Sequence, residues 1–267
     1  MKHILSLCAL VAIFVTTASA QAVYDRTPGK SLQYSITSEV ATTAVAPQGE
    51  QVIDVEGDGL ITVTFAEADT VRAMYDKYDL AVDMAGNEEA MDLLTMMTGD
   101  FTMTMSDNGT VEVLTTPTLS APMNLPGGNI AQQFDSFFLE LPEDDLTEGT
   151  TWTTTKETMM QEGVTSTVET TYTVQGTTTK AGMDVLVINV DATTEVDGET
   201  EQQGMAVIIN LKGTLTGEYY YAVEEGIMVG SEISQDVSGG QDMEGGGQSV
   251  AIDIDITGTN TTMLVTE

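Results

Sequence analysis

The run Asp54-Val55-Glu56-Gly57-Asp58-Gly59 comes closest in this chain to metal-ligand spacing. Oxygen donors at positions 1, 3 and 5 with Gly at 6 match the opening of an EF-hand calcium loop. Such a loop needs Glu at position 12, and here that position is Phe65. Alternating, strand-like sequence surrounds the run, so a tight β-turn or bulge is the expectation and a calcium site is not. A second chemistry would come from the methionines: Met91, Met96, Met97, Met103 and Met105 fall close together. Thioethers can ligate copper or form an adaptable lipid-contacting surface, and flexible core filling is the plainer account. A third would use two carboxylates for glycoside hydrolysis. No acid pair stands out from the 42 Asp and Glu, and a single Trp leaves little for sugar stacking.

The other catalytic chemistries are limited by what the mature chain lacks. Residues 1–20 have the layout of a secretory signal: Lys2 and His3, an apolar run from Ile4 to Val15, and Ala18-Ser19-Ala20 for cleavage. Cys8 and His3 are the only Cys and His, and both lie in that segment. The exported protein is therefore expected to have no disulfide, no His- or Cys-based nucleophile system and no zinc or copper site built on those ligands. The sequence predicts no cofactor, no metal and no enzymatic activity. A net charge of −34 opposes binding to nucleic acid and to anionic membranes, and fits a saline environment that screens self-repulsion. No second apolar run is long enough for a spanning helix, so an integral membrane protein is not expected.

Two short helices are expected to position these residues. In the stretch 129–152, Ile130, Phe134, Phe137, Phe138 and Leu141 recur at helical spacing, with Asn129 as N-cap, Gln132 at the capping-box position and Pro142 as terminator. In the stretch 87–99, Asn87 starts the pattern and Gly99 ends it. Glu88 and Glu89 suit the first turn, and Ala90, Leu93, Leu94 and Met97 form a stripe. Trp152 opens a strand after an acidic loop. Phe134, Phe138 and Trp152, with Met96 and Met97, are the candidate wall of an apolar pocket; ordinary core packing is the alternative.

The run Phe137-Phe138-Leu139-Glu140-Leu141-Pro142-Glu143, followed by Leu146-Thr147-Glu148-Gly149-Thr150-Thr151-Trp152, resembles a signature of an uncharacterised family of secreted bacterial proteins. In that family an F-x-x-LP segment precedes G-x-x-W, often with Asp where this chain has Thr150. The resemblance implies a secreted, mostly-β protein and brings no catalytic residues with it.

The rest reads as strands. Alternation is clear in Leu32–Thr37, Val52–Phe65, Val71–Met84 and Val250–Ile256, and in a hairpin at Asn108-Gly109. Further strands fill 151–237, with turns expected at Gly163, Gly176, Asp197-Gly198 and Glu225-Gly226, and a flexible loop over 238–248. The fold class is mostly β: a curved antiparallel sheet or half-barrel with two short helices on one side. One domain is expected over 21–267, with similarly laid out halves 21–125 and 126–267. Such a fold suits a secreted or periplasmic, non-enzymatic protein holding an apolar ligand or lipid between sheet and helices. A cell-envelope interaction module without a pocket is the alternative, and a carboxylate glycosidase a remote third.

Overall fold

A computed structural model describes residues 22–266, apart from 85, 121–133, 135, 136, 203, 204, 246 and 247. The expected signal segment, Asn129, Ile130 and Gln132 lie outside the described residues.

The described residues form fourteen strands. The first group is β1 (Ser31–Ala46), β2 (Gly49–Phe65), β3 (Thr70–Met84), β4 (Asn87–Asp92), β5 (Met97–Thr98), β6 (Phe101–Met105), β7 (Val111–Thr115) and β8 (Thr118–Leu119). The second is β9 (Thr151–Gln161), β10 (Val164–Lys180), β11 (Met183–Gln202), β12 (Met205–Ala222), β13 (Ile227–Gly245) and β14 (Gln248–Leu264). Twelve of them form one antiparallel sheet in the order β7-β6-β3-β2-β1-β14-β13-β12-β11-β10-β9, with β4 added beside β3; β5 and β8 pair separately. The first and last strands of the meander thus meet through β1 and β14, where Tyr34 faces Leu264 and Val45 faces Asp253. The sheet does not close, since β7 and β9 remain its two edges.

Period-two alternation decides which face is which. From β1 through the register, Tyr34, Ile36, Ser38 and Val40 share the inner face with Ile61, Val55, Asn260, Ile233, Leu215 and Val190. The intervening Thr, Asp and Glu residues point outward, as in β11, where Asp191, Glu195 and Glu199 are exposed. Threonine suits these faces because its branched side chain packs on a pleated surface while its hydroxyl stays wet.

Glycines on the inner face let neighbouring strands come close and coil. Gly217 lies opposite Ile233 with φ 159°, and a Cβ there would collide with the Glu232 carbonyl. Gly59 leaves room for the Tyr78 ring, whose Cδ2 would stand 2.6 Å from a Cβ at that position. This accounts for the Asp54–Gly59 run. It is continuous strand, and its glycines are spaces for side chains from β3 rather than a metal-loop turn.

Neither expected α-helix is present among the described residues. Asn87–Asp92 is β4, paired with Asp79–Met84. Asp83 accepts a hydrogen bond from the Gly86 amide, and Gly86 adopts φ 85°, so a hairpin turn sits where an N-cap was expected. Only Leu93–Thr95 is helical, as one 3-10 turn capped by the Asp92 carboxylate. In the central stretch, Phe134 has a single 3-10 turn geometry and Phe137–Leu141 is irregular. Phe137, Phe138, Leu139 and Leu141 are all buried, which a helix lying on one face could not achieve. The sequence also overcounts breaks in the long strands. Gly176 is a bulge in β10, Asp197-Gly198 is interior to β11, and β13 and β14 run through most of the stretch expected to be a loop.

The core lies at one end of the concavity, where Tyr34, Phe65, Phe101, Phe134, Tyr221 and Met228 are almost fully buried. Farther along the strands, inward Ile254, Ile256, Val237 and Leu211 are only half-buried.

Candidate ligand-binding cavity

Phe134 and the irregular run Phe137–Leu141 fill the core end of the concavity, where main-chain groups tie the run. Tyr24 donates its hydroxyl to the Leu139 carbonyl at 2.9 Å, and Trp152 Nε1 donates to the Glu140 carbonyl at 2.8 Å. The Leu141 amide donates to the Asn108 carbonyl at 2.7 Å. Ring contacts complete the plug. Phe134 packs on Phe101 with centroids 4.4 Å apart, and Phe137 meets Tyr34 edge-on at 5.3 Å. Each buried ring removes a large apolar area from water, and the angled pairs align ring edges with π faces.

Above this plug lies a partly enclosed cavity of about 320 Å³. That is at the lower end of the range for small-ligand pockets, roughly 300–1,000 Å³. Phe134 and Phe137 form its floor. Tyr75 and Tyr78, stacked at 4.8 Å, stand on one side, and Tyr172 and Tyr219 on the other. Val190, Ala192, Leu215 and Ile233 supply the aliphatic wall between them. Among the described residues no Asp, Glu, Lys or Arg lines it. Burial raises the tyrosine pKa values: Tyr34, Tyr75 and Tyr219 are held well above the ordinary range by desolvation, so all three are neutral at physiological pH.

A second depression of about 670 Å³ adjoins the first through Val40, Val55 and Gln235. It carries Glu39, Asp54, Glu56, Asp83 and Glu88. Strand register sets several of these acids directly opposite one another: Glu39 faces Glu56, Asp54 faces Asp83, and Asp83 faces Glu88. Among the described residues no set of three or more acidic, His or Cys side chains is arranged to hold a metal ion.

The five residues singled out from sequence separate in space. Phe134 lines the cavity. Phe138 is one layer behind, edge-on to Tyr24 at 5.9 Å. Trp152 backs the wall by stacking on Tyr172 at 5.0 Å and 17°. Met97 packs at the margin of the core, and Met96 ends the 3-10 turn; neither lines the cavity. The residues that do line it, such as Tyr172, Val190, Ala192 and Ile233, had no distinguishing local signal. Their inward parity was readable in each strand, but only the pairing of distant strands brings them together.

A family of unknown function (DUF6263) matches residues 122–228, consistent with an uncharacterised family. No curated protein matches the chain. Among solved structures, a study of lipid–protein interactions in lipovitellin is similar at 10% identity and a TM-score of 0.48. That match covers 90% of this chain and 25% of the other, so the present chain spans about a quarter of that protein. Pseudomonas aeruginosa OccK7 (OpdD) is similar at 8% identity and a TM-score of 0.27, over 89% of this chain and 99% of that one. Neither likeness is close enough to bear on fold or function.

Proposed function

We propose that the protein is an exported, non-enzymatic carrier that holds an apolar small molecule or lipid on the concave face of its sheet. The observation that carries this reading is a cavity whose described lining residues include none that is charged, in a chain with 42 acidic residues. Inward-facing apolar side chains continue the lining: Ile254, Ile256, Val237 and Leu211 are left half-buried. Leaving such a surface open to water is unfavourable by roughly 25 cal/mol per Å², so an apolar occupant gains what the fold itself does not recover. The described lining residues hold no pair of carboxylates such as glycoside hydrolysis needs flanking its substrate, which supports a non-enzymatic role.

Native mass spectrometry of protein purified from its own host, with organic extraction of bound material, tests this directly. A stoichiometric apolar mass, or uptake of the neutral probe N-phenyl-1-naphthylamine that Ala192→Trp abolishes, is the expected result. A clean apo mass with no probe uptake by the wild type would overturn the carrier reading and favour an envelope interaction module.

A further inference from the structure

The cavity is not uniformly apolar: apart from Thr170 and the tyrosine hydroxyls, the polar side chains of its lining lie in one place. Ser38 on β1 lies directly opposite Asn260 on β14, and Thr262 on β14 lies directly opposite Ser231 on β13. Gln235 follows on β13, and all five line the cavity. They form a stripe across three adjacent strands, while the flanking walls are aromatic and aliphatic. Among the described residues none of these five side chains has a side-chain hydrogen bond to another residue, so their donors and acceptors are available to an occupant. Ser231 is only 7% exposed, Ser38, Thr262 and Gln235 are half-buried and Asn260 is exposed, so the stripe runs from the cavity interior at Ser231 to its rim at Asn260.

We propose that the ligand is an uncharged amphiphile, bound with its hydroxyl or carbonyl group inward against the stripe of Ser38, Asn260, Thr262 and Ser231. This rests on the carrier reading above and adds the ligand class. An ionised headgroup in this cavity would lose its hydration with no opposite charge among the described lining residues, whereas a neutral hydroxyl exchanges water for Asn and Ser partners. The negative potential of the acids on the outward side of the neighbouring strands also disfavours an anion. Lys156 is the one basic residue at an inward strand position. It stands on edge strand β9 opposite Val168, outside the cavity lining. An inward-pointing charge on an edge strand also discourages pairing with another chain, which gives Lys156 a structural role independent of ligand.

A matched twelve-carbon series separates the outcomes by displacement of N-phenyl-1-naphthylamine: 1-lauroylglycerol, laurate and dodecyltrimethylammonium, all below their critical micelle concentrations. The neutral glyceride is expected to displace the probe at concentrations at least about tenfold lower than either charged homologue, because burying an unpaired charge costs more than burying a hydroxyl with partners. In the pair Asn260→Leu and Ser231→Ala, the ratio of glyceride affinity to probe affinity is expected to fall about five- to tenfold. A wild-type β-sheet circular dichroism spectrum shows that the variants fold. A charged homologue that binds as tightly as the glyceride overturns the inference and leaves the carrier reading intact. So does laurate binding that Lys156→Gln abolishes, or a stripe variant that shifts no affinity ratio. Failure of the probe and all three amphiphiles to bind overturns both.

Discussion

The Tyr34 hydroxyl on β1 donates to the Met228 carbonyl on β13 at 2.9 Å, passing over β14, the strand that lies between them. The bond is buried, and it fixes how tightly the sheet curls where its N-terminal and C-terminal strands join. Removing it with Tyr34→Phe leaves a buried carbonyl unpaired. A loss of about 1–3 kcal/mol in unfolding free energy is expected by denaturant titration. An unchanged midpoint would show that the curl is set elsewhere.

Curvature also depends on glycine at inward positions. Gly217→Ala places a methyl against the Glu232 carbonyl and Ile233 Cα, and backbone cannot move aside as a flexible side chain can. A destabilisation of at least about 1–3 kcal/mol is expected. Gly149, with open space around its Cβ position, is the control for positive φ alone. Equal losses at the two sites would mean that strain, not close approach, is what glycine relieves.

The buried phenols make the fold sensitive to alkali. Desolvation holds the pKa values of Tyr24, Tyr34, Tyr75, Tyr219 and Tyr221 above the ordinary 10.0. A folded pKa raised above the unfolded one contributes stability in full below pH 10, and that contribution is lost as pH rises beyond it. Tyrosinate absorbance and loss of β-sheet circular dichroism are expected to rise together above pH 10. Ionisation of most tyrosines before any unfolding would contradict the buried positions. On the acid side, hydrogen bonds from Lys30 and Thr27 lower Asp25 to about 2, so its smaller contribution disappears between its unfolded value of 3.8 and that pH.

Acids paired across strands should make stability depend on salt. With Glu39 opposite Glu56 and Asp54 opposite Asp83, the melting temperature is expected to climb from low to molar NaCl as repulsion is screened. Glu56→Lys replaces one repulsive pair with an attractive one. It should raise stability at low salt by about 0.2–1 kcal/mol and flatten the salt response. If the variant matches wild type at every salt concentration, these pairs are too well solvated to matter.

Trp152 is placed to report on the cavity. Its ring stacks on Tyr172, a lining residue, and its Nε1–H is bound to the Glu140 carbonyl. Ligand entry is expected to shift or quench its emission. Trp152→Phe should cost about 1 kcal/mol through the lost hydrogen bond and frees the signal for background correction. Emission unchanged while a probe is bound would place the ligand away from Tyr172.

Much of the architecture was legible in the chain itself. Period-two alternation in Leu32–Thr37, Val52–Phe65 and Val250–Ile256 gave strands and their faces, because side chains on a pleated strand must alternate between core and water. Asn108-Gly109 gave its hairpin because few residues accept the turn's backbone angles, and Gly109 has φ 91°. Phe134 was a pocket-wall candidate from its place in an apolar, aromatic stretch, and it lines the cavity.

What tertiary structure decided is where local preference was nearly balanced. Asn87–Asp92 has residues that suit a helix start, but hydrogen bonding to the free edge of β3 is worth more than one isolated turn. Phe134, Phe137, Phe138 and Leu141 have helical spacing, yet the concavity surrounds them with apolar surface, and the irregular run Phe137–Leu141 buries its side chains on more than one side. The cavity was the least legible part. Ser38, Asn260, Thr262 and Ser231 are ordinary strand residues in sequence, and they become one polar stripe only when β1, β14 and β13 pair in a single register. Alternation within a strand is a local constraint, whereas the register between strands far apart in sequence is set by the packing of the whole sheet.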